Sequence, residues 1–233
     1  MSKKFKKSSS NRRNYIIGID EVGRGALAGP VVVAAVAAPI KFKIQNSKLR
    51  IKKKTKNSAF LILNSKLAPL RDSKKLSSKQ REEWFKWIKK HTNKLKNVSM
   101  FYAVESVSPK IIDKINISQA ANLAATNAFR RLIKKVKIKN CRVCLDGGLY
   151  LPKILNSKFH ILNSIIKGDE KIPAIALASI VAKVHRDKLM KRLHKKYPRY
   201  DFINNVGYGV KKHIKAIKKY GLSPIHRKSF KIH

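Results

Sequence analysis

Acidic residues are scarce in this chain of 233 residues, which has 12 aspartates and glutamates against 55 lysines and arginines. Four of them stand at or just after apolar runs that are predicted to be strands: Asp20 and Glu21, Asp146, and Asp169. Strand ends are the usual ligand-binding edge of an α/β sheet, and carboxylate oxygens are the ligands that Mg²⁺ and Mn²⁺ prefer. The four acids are therefore candidate metal ligands and candidate catalytic residues.

A carboxylate cluster of this kind suggests metal-assisted hydrolysis of a phosphodiester. Two ions about 3.5–4 Å apart activate a water molecule and stabilise the departing 3′ oxygen of an in-line displacement, with no protein nucleophile. A single acid at a strand end more often caps a turn or a helix, but capping explains four such acids poorly. No Ser/His/Asp pattern offers a good alternative.

The formal net charge of +43 at pH 7 indicates a polyanionic partner. A binder of nucleic acid uses such an excess for affinity and steering, whereas an enzyme acting on small molecules gains nothing from the self-repulsion. Solvated surface lysines in a lysine-favouring genome explain the magnitude about as well. The sign of the charge is therefore the better argument for nucleic acid.

Apolar runs also bear on the compartment. None reaches the roughly 18 residues that a membrane helix requires, and no signal-peptide pattern follows the basic start MSKKFKKSSSNRRN. We expect no membrane partner and a soluble, cytoplasmic protein. Cys141 and Cys144 lie in an apolar run with strand character, so we expect two buried thiols in a reducing compartment rather than a redox or zinc site.

The elements that must position the acids alternate between strands and helices. Apolar runs predict strands at about 15–20, 30–38, 98–104, 142–145 and 160–166. Helical spacing and capping signals predict helices from about 78 into the low nineties, from 109 to about 137, from 173, and over 210–220. The sequence therefore predicts one α/β domain over 15–233, with a helical C-terminal part from about 196 to 233.

Two strongly basic segments are predicted to lie outside the core. Residues 1–14 are basic and polar, which favours a flexible tail. Residues 41–66 contain nine basic residues and no acid, which is typical of an insertion.

A glycine-rich turn directly follows the first acidic pair. Gly23, Arg24 and Gly25 give the backbone freedom to approach a ligand closely, although a hairpin would use glycine as well. Tyr208 stands between two glycines and before two lysines, which suggests a sugar platform, although a tyrosine is more often part of a core.

The remaining candidates have plain structural alternatives. Ser73 and Lys74, in the run DSKK before a helix start, are suited to phosphate contact or simply to a turn and an N-cap. Lys183 and Arg186 are expected on a solvated face by default, although Lys183 is flanked by small apolar residues, which would let it point into the substrate groove. We expect three histidines to be structural hydrogen-bonding groups: His185, His213 and His226.

The motifs in their order are highly specific. GIDEVGRGALAGPVV, DSKKLS, LDGG, KGD with ASIVAKVHRD, NVGYGVKKH and HRKSF resemble those of bacterial ribonuclease HII from about residue 15 to residue 230, apart from the insertion. The resemblance implies a ribonuclease H-like mixed sheet flanked by helices. It also implies Mg²⁺- or Mn²⁺-dependent cleavage of the RNA strand of RNA-DNA hybrids, and cleavage on the 5′ side of ribonucleotides embedded in duplex DNA.

The resemblance also implies a role for each matching residue. Asp20, Glu21, Asp146 and Asp169 would be the catalytic metal ligands. The Gly-Arg-Gly turn would sense the 2′-OH, and Tyr208 would pack on the deoxyribose that follows the ribonucleotide. For Ser73 and Lys74 the resemblance favours contact with the DNA, and Lys183 is a further candidate for substrate contact because of its apolar neighbours.

Three alternatives remain open at this point. A non-catalytic nucleic-acid-binding protein, such as a ribosomal component, would explain the lysines but not the converging acids. Another nuclease of the same fold, such as a junction resolvase, would have no reason for Gly-Arg-Gly beside the acids and a later Gly-Tyr-Gly. The sibling ribonuclease HIII carries lysine where this chain has Arg24 and places a platform domain before the catalytic one, whereas only 14 residues come first here.

Overall fold

Five strands form a mixed sheet whose parallel half carries the acidic residues. The computed structural model describes residues 15–39, 43–44, 60–61, 67–92, 100–136, 141–152 and 159–232. The sheet consists of β1 (Tyr15–Val22), β2 (Val31–Pro39), β5 (Phe101–Val107), β6 (Cys141–Asp146) and β7 (His160–Ile165), in the order β5-β2-β1-β6-β7. Two short strands, β3 (Lys43–Ile44) and β4 (Phe60–Leu61), pair with each other in parallel.

The pairing directions place three strand ends at one edge. β1 is antiparallel to β2, and β2 is antiparallel to β5. In contrast, β1 is parallel to β6, and β6 is parallel to β7. The carboxyl ends of β1, β6 and β7 therefore meet at the same edge of the sheet, as the strand-end acids required.

Helices cover both faces of the sheet. They are α1 (Ser78–His91), α2 (Pro109–Val136), α3 (Gly168–Lys171), α4 (Pro173–Lys196), α5 (Phe202–Asn205) and α6 (Lys211–Tyr220), with short 3₁₀ turns at Ser73–Lys75 and Pro198–Tyr200. One face of β2 packs with α2, and the other face packs with α1 and α4. Because side chains alternate along a strand, the unbroken apolar run of β2 fits a strand buried on both faces.

A glycine allows the long helix α4 to lie directly against β1. A Cβ atom on Gly18 would stand 2.1 Å from the backbone carbon of Ala174, far closer than a real contact permits. Glycine at this position therefore lets the first turn of α4 approach the strand that ends in the acidic pair. That approach brings residues of α4 beneath the candidate site.

Most predicted elements are confirmed. The sheet, the hairpin of β1 and β2, and the capping box of Ser77 and Gln80 are present as predicted. Cys141 and Cys144 are buried free thiols, and burial raises the pKa of each to about 11. Trp84 is a core residue, as expected.

Other predictions need correction or were missing. The strand predicted at 98–104 continues to Val107, because its pairing with β2 extends to Val31, and the start of the prediction at 98–99 lies outside the described residues. Helix α2 is interrupted at Asn116, where φ is 62°. The four-residue helices α3 and α5 were not predicted, since one helical turn carries no periodic signal.

Nothing in the structure tests the proposed domain limits. The tail at 1–14 and all but four residues of the insertion at 41–66 lie outside the described residues, so both segments stay predictions. Within the described ranges, no helix has the length and the apolar character needed to cross a membrane.

Candidate active site

Three of the four predicted acids converge where β1 and β6 end. Asp20 and Glu21 directly precede Val22, the last residue of β1, and Asp146 is the last residue of its parallel neighbour β6. One carboxylate oxygen from each of the three lies within 4.8 Å of the others. This spacing would let a single cation contact all three side chains.

Asp20 is the most deeply buried member of the cluster. Its side chain accepts a hydrogen bond of 2.7 Å from the backbone N–H of Glu21 and a further one from the Ser179 hydroxyl. Burial, followed by the charges of Glu21 and Asp146, raises the pKa of Asp20 well above its ordinary value. A divalent cation would offset both the desolvation and the repulsion.

Glu21 carries an unpartnered oxygen. Its Oε1 accepts a hydrogen bond of 3.3 Å from Nη1 of Arg24, whereas its Oε2 is buried and has no hydrogen-bond partner among the described residues. Burial raises the pKa of Glu21, and the Arg24 charge opposes that rise. A buried carboxylate oxygen without a donor is costly, and a metal ion is the partner that the neighbouring acids suit.

Asp169 stands beside this cluster on α3, four residues past the end of β7. Burial, the charge of Asp72 and the charge of Asp146 raise its pKa to about 6. Asp72 also shares a side-chain hydrogen bond with Asp169. A fifth acid therefore borders the site. The motif DSKK contained this residue, but its position before a helix had indicated only a turn or a phosphate contact.

The acids present fit a divalent metal ion. Asp20, Glu21 and Asp146 offer hard oxygen ligands at a shared point, and Asp169 extends the negative field from the next strand connection. Three carboxylates held this close in a protein of net charge +43 would otherwise repel one another. Asp20, Glu21 and Asp146 are therefore the residues whose geometry suits a metal ion, and the role of all four acids as ligands stays a prediction.

The Gly-Arg-Gly turn is held rigidly beside the acids. Gly23 has φ +87°, and a Cβ atom there would lie 2.1 Å from Nε of Arg186. The backbone carbonyls of Gly23 and Arg24 accept hydrogen bonds of 2.7 and 2.8 Å from the guanidinium of Arg227. Gly25, in contrast, is exposed and has open space around it, so a ligand can approach the turn there.

The side chain of Arg24 is engaged with the protein. Besides Glu21, its guanidinium donates to the Ser118 hydroxyl at 2.9 Å and to the Gly148 carbonyl at 3.3 Å. These bonds connect the turn after β1 with α2 and with the turn after β6. Arg24 therefore acts on the acidic cluster through Glu21, in addition to the backbone role predicted for the turn.

Tyr208 and the Gly-Arg-Gly turn both lie against the side chain of Arg186. The half-buried ring of Tyr208 is 5.5 Å from the guanidinium carbon of Arg186, the side chain that also fills the space beside Gly23. Arg186 and Arg227 are almost completely buried and donate mainly to backbone carbonyls. The expectation of a solvated face for Arg186 is wrong, because the packing of α4 buries its side chain, and sequence reasoning missed Arg227, although each lies in a motif that carried the resemblance.

The residues predicted to contact DNA are in different situations. Ser73 is buried, and its Oγ lies 2.8 Å from Oγ of Ser179, which places it beneath Asp20. Lys74 is exposed, and its charge opposes the rise that burial causes in the pKa of Asp169. Lys183 donates to Asp187 at 2.8 Å. Substrate contact by all three stays a prediction.

The three histidines do not all fit the structural expectation. His213 and His226 are buried and hydrogen-bonded to each other. His185 packs edge-on against Phe85 with ring centroids 5.3 Å apart, but its Nε2 is buried without a hydrogen-bond partner in the part of the chain that the structure describes.

Comparisons with known proteins identify the family to which this chain is similar. The family model described as Ribonuclease HII matches residues 17–233. A ribonuclease HII from Pelagibacter ubique is 42% identical over 215 residues, covering 92% of this chain and 95% of the relative. A ribonuclease HII from Endomicrobium trichonymphae is 42% identical over 231 residues, covering 97% of this chain and 90% of that protein.

Solved structures show the same fold. Ribonuclease HII from Archaeoglobus fulgidus, solved in a complex with PCNA, has a TM-score of 0.62 and 26% identity, covering 94% of this chain and 96% of that chain. Ribonuclease H2 from Pyrococcus horikoshii has a TM-score of 0.62 and 22% identity, with 94% of each chain covered. The converging acids and these matches together show that the chain belongs to the ribonuclease HII family, metal-dependent hydrolases that cleave the RNA of RNA-DNA hybrids.

Proposed function

We propose that this chain cuts on the 5′ side of ribonucleotides embedded in duplex DNA and within the RNA strand of RNA-DNA hybrids, leaving a 3′-OH and a 5′-phosphate. The observation that carries the proposal is the cluster of Asp20, Glu21 and Asp146, with ligand oxygens within 4.8 Å of one another. A cytoplasmic role in removing misplaced ribonucleotides and RNA primers is part of the proposal.

Asp20, Glu21, Asp146 and Asp169 would hold Mg²⁺ or Mn²⁺. When bound, the metal activates the attacking water and stabilises the charge on the leaving 3′ oxygen. The protein's own contribution is to hold these carboxylates in fixed positions. Hydrogen bonds to Asp20 from Ser179 and from the Glu21 backbone favour its charged form against the effect of burial.

Recognition of the substrate would use the two glycine-flanked segments. The carbonyls of Gly23 and Arg24 are occupied by Arg227, which fixes the turn while Gly25 remains open to solvent. Tyr208 would pack on the deoxyribose that follows the ribonucleotide. Arg186 contacts both segments, so one buried side chain sets the distance between them. This arrangement supports the proposal that the turn and Tyr208 recognise the ribonucleotide and the deoxyribose that follows it.

Phosphate contacts would come from the basic surface and would add affinity without sequence preference. Lys74 is exposed close to Asp169, which suits a contact to a backbone phosphate near the cut. Ser73 and Lys183 are further candidates, although both already have protein partners.

A cleavage assay tests the proposal. A labelled duplex with one ribonucleotide, the matching all-DNA duplex and an RNA-DNA hybrid are incubated with the protein, with Mg²⁺, Mn²⁺ or a chelator. We expect a single cut on the 5′ side of the ribonucleotide, cleavage within the hybrid's RNA, and no cut in all-DNA or with chelator. Tight binding of all three duplexes without cleavage in either metal would instead support a non-catalytic binding protein.

A further inference from the structure

A chain of hydrogen bonds through two buried histidines ends at the backbone of Tyr208. Nδ1 of His226 accepts a hydrogen bond of 2.9 Å from the backbone N–H of Ser223 and lies 2.8 Å from the Ser223 hydroxyl. Nε2 of His226 is 3.0 Å from Nε2 of His213, and Nδ1 of His213 is 2.8 Å from the Tyr208 carbonyl. All four ring nitrogens therefore have protein partners, so neither imidazole offers a free nitrogen to a metal or a substrate.

Only one arrangement of protons satisfies all of these contacts. A backbone N–H can only donate, so Nδ1 of His226 is the acceptor and the proton of that neutral ring is on Nε2. This proton is donated to Nε2 of His213, whose own proton must then be on Nδ1. A carbonyl oxygen can only accept, so the Nδ1–H of His213 donates to Tyr208, and the two ends of the chain require the same direction.

The aromatic side chains around both imidazole rings exclude solvent and keep the rings neutral. Tyr200 and Phe202 pack against both imidazoles, with ring centroids 4.8 to 6.3 Å apart. Burial lowers the pKa of His213, and burial with the neighbouring ring lowers that of His226 to about 4. A proton added to Nε2 of His213 would put two donors face to face across the 3.0 Å contact, and a proton added to Nδ1 of His226 would face the Ser223 N–H at 2.9 Å.

The loop that this chain reaches is strained. Val206 adopts φ 43°, a left-handed conformation that a β-branched residue rarely takes, and Gly207 follows with φ 86°. Arg186 donates to the Val206 carbonyl at 2.8 Å, and the Gly207 carbonyl accepts from Leu27 at 2.8 Å. Strain of this kind persists only where surrounding contacts over-determine the backbone. The next residue, Tyr208, donates its N–H to the Asn205 carbonyl, and its own carbonyl accepts from the Val210 N–H as well as from His213, which supplies the side-chain contact.

We propose that His213 and His226 are positioning residues that orient Tyr208 for substrate through this one-directional hydrogen-bond chain. The inference rests on the proposed function, since it takes Tyr208 as the platform for the deoxyribose after the ribonucleotide. Arg186 fixes one side of the tyrosine ring, and His213 fixes the backbone from which the ring projects. The histidines act on selectivity and not on the chemical step.

The test compares two substrates. The readout is the ratio of kcat/KM on a duplex with one embedded ribonucleotide to kcat/KM on an RNA-DNA hybrid, which has no deoxyribose after the cut. We expect His213→Gln, which removes the donor at the Nδ1 position, to lower this ratio about tenfold, the effect of one lost hydrogen bond. His213→Asn, whose amide N–H can replace Nδ1–H, should restore most of it.

A double-mutant cycle separates positioning from damage to the fold. In a Tyr208→Ala background, His213→Gln should lower the ratio no further, because the platform is already absent. His185→Gln is the matched control, since this imidazole of α4 has no hydrogen bond at Nε2 within the described ranges, and it should leave the ratio unchanged. An equal fall of His213→Gln on both substrates, or a further fall of the ratio in the double variant, would overturn the inference.

Two additional measurements distinguish failure of the platform role of Tyr208 from failure of the hydrogen-bond chain. If Tyr208→Ala alone leaves the ratio unchanged, the platform role in the proposed function is wrong, and the positioning role is lost with it. Nitrogen NMR of the wild-type imidazoles is independent of how the variants fold. It should show the proton on Nδ1 of His213 and on Nε2 of His226, and the reverse tautomers would refute the hydrogen-bond chain.

Discussion

Gly168 donates its backbone N–H to Oδ1 of Asp146 over 2.8 Å and thereby joins α3 to the end of β6. The contact leaves no room for a side chain, because a Cβ atom on Gly168 would lie 3.2 Å from the same Oδ1 and 2.6 Å from Cδ1 of Ile175. One glycine therefore orients the carboxylate of Asp146 and sets how close α3, which carries Asp169, can come to it.

Gly168→Ala should reduce the affinity for Mn²⁺ and the rate of cleavage. The added methyl group pushes Asp146 and Ile175 by a few tenths of an ångström, and displaced supporting groups cost metal sites about 10- to 100-fold in affinity. Calorimetric Mn²⁺ titration and cleavage rates provide the measurements. Gly147→Ala is the matched control, since its Cβ would meet only ordinary contacts at 3.6 Å or more. Equal effects of both substitutions would contradict the assignment.

Asp20→Asn and Asp146→Asn should each lower the cleavage rate by at least about 10³-fold, while binding to the duplex is retained. Each change removes a charged metal ligand but leaves the basic surface intact. Cleavage rates at saturating Mg²⁺ and duplex affinity are measured together. Glu105→Gln serves as the control, because Glu105 lies on the edge strand β5, outside the acidic cluster, where it pairs with Arg131 of α2. Wild-type turnover by either aspartate variant would show that the metal assignment is wrong.

Asp169→Asn should stabilise the metal-free protein at neutral pH. The pKa of Asp169 is raised in the folded state to about 6 from an ordinary value of 3.8, so folding binds a proton between these values. Its contribution to stability is therefore lost as pH rises from about 4 to above 6.

Thermal unfolding in a chelator, followed from pH 4 to pH 8, measures this effect. The melting temperature of Asp169→Asn should exceed that of the wild type above pH 6, and the two should converge near pH 4. A difference that does not change with pH would mean that the carboxylate is not destabilised in the folded protein.

Arg24→Ala should move the acidic limb of the pH-rate profile to higher pH. The Arg24 charge, 3.3 Å from Oε1, opposes the rise that burial causes in the pKa of Glu21. Without it, Glu21 remains protonated to a higher pH. Arg24→Lys keeps a positive charge and should shift the profile less. Unchanged profiles for both variants would show that Arg24 has no influence on the acid.

The same variant bears on selectivity. Arg24→Ala should weaken discrimination of a single embedded ribonucleotide more than it weakens general duplex affinity, because the turn after β1 loses its bonds to Ser118 and Gly148. Cleavage and binding of matched duplexes with and without the ribonucleotide separate the two effects. An unaltered preference would refute the role of the turn as a sensor.

Deleting residues 1–14 and replacing 41–66 with a short neutral linker should weaken binding at low salt and leave the cut position unchanged. β3 and β4, within the second segment, pair only with each other among the described strands, so the main sheet does not depend on them. Each lost phosphate contact lowers the slope of log K against log salt by about 0.9. An unaltered slope, or a moved cut site, would contradict this division of roles.

Elements stabilised by contacts close in sequence could be predicted from the sequence. A strand buried on both faces must be a continuous apolar run, and 30–38 predicted β2 to within one residue. The capping box of Ser77 and Gln80 closes within three residues, so its local pattern is sufficient. The end predicted for β5 was wrong because it depends on the partner strand.

The candidate acids could likewise be predicted from residue type and from their place after apolar runs, but their supporting contacts could not. Ser179 reaches Asp20 from α4, and Ser73, 106 positions earlier, lies against Ser179. Arg227 holds the carbonyl of Gly23 across 204 positions. No local pattern encodes contacts at such separations, because they form only when distant elements pack together.

The sequence by itself determined which chemical groups this protein can bring to a phosphodiester and the order of the elements that carry them. Only the tertiary structure decided their state. It buries Asp20, leaves one oxygen of Glu21 without a partner among the residues described, and sets Asp169 against Asp72. Protonation and hydrogen bonding depend on solvent exclusion and on the charges within a few ångströms, and these are properties of the packed chain.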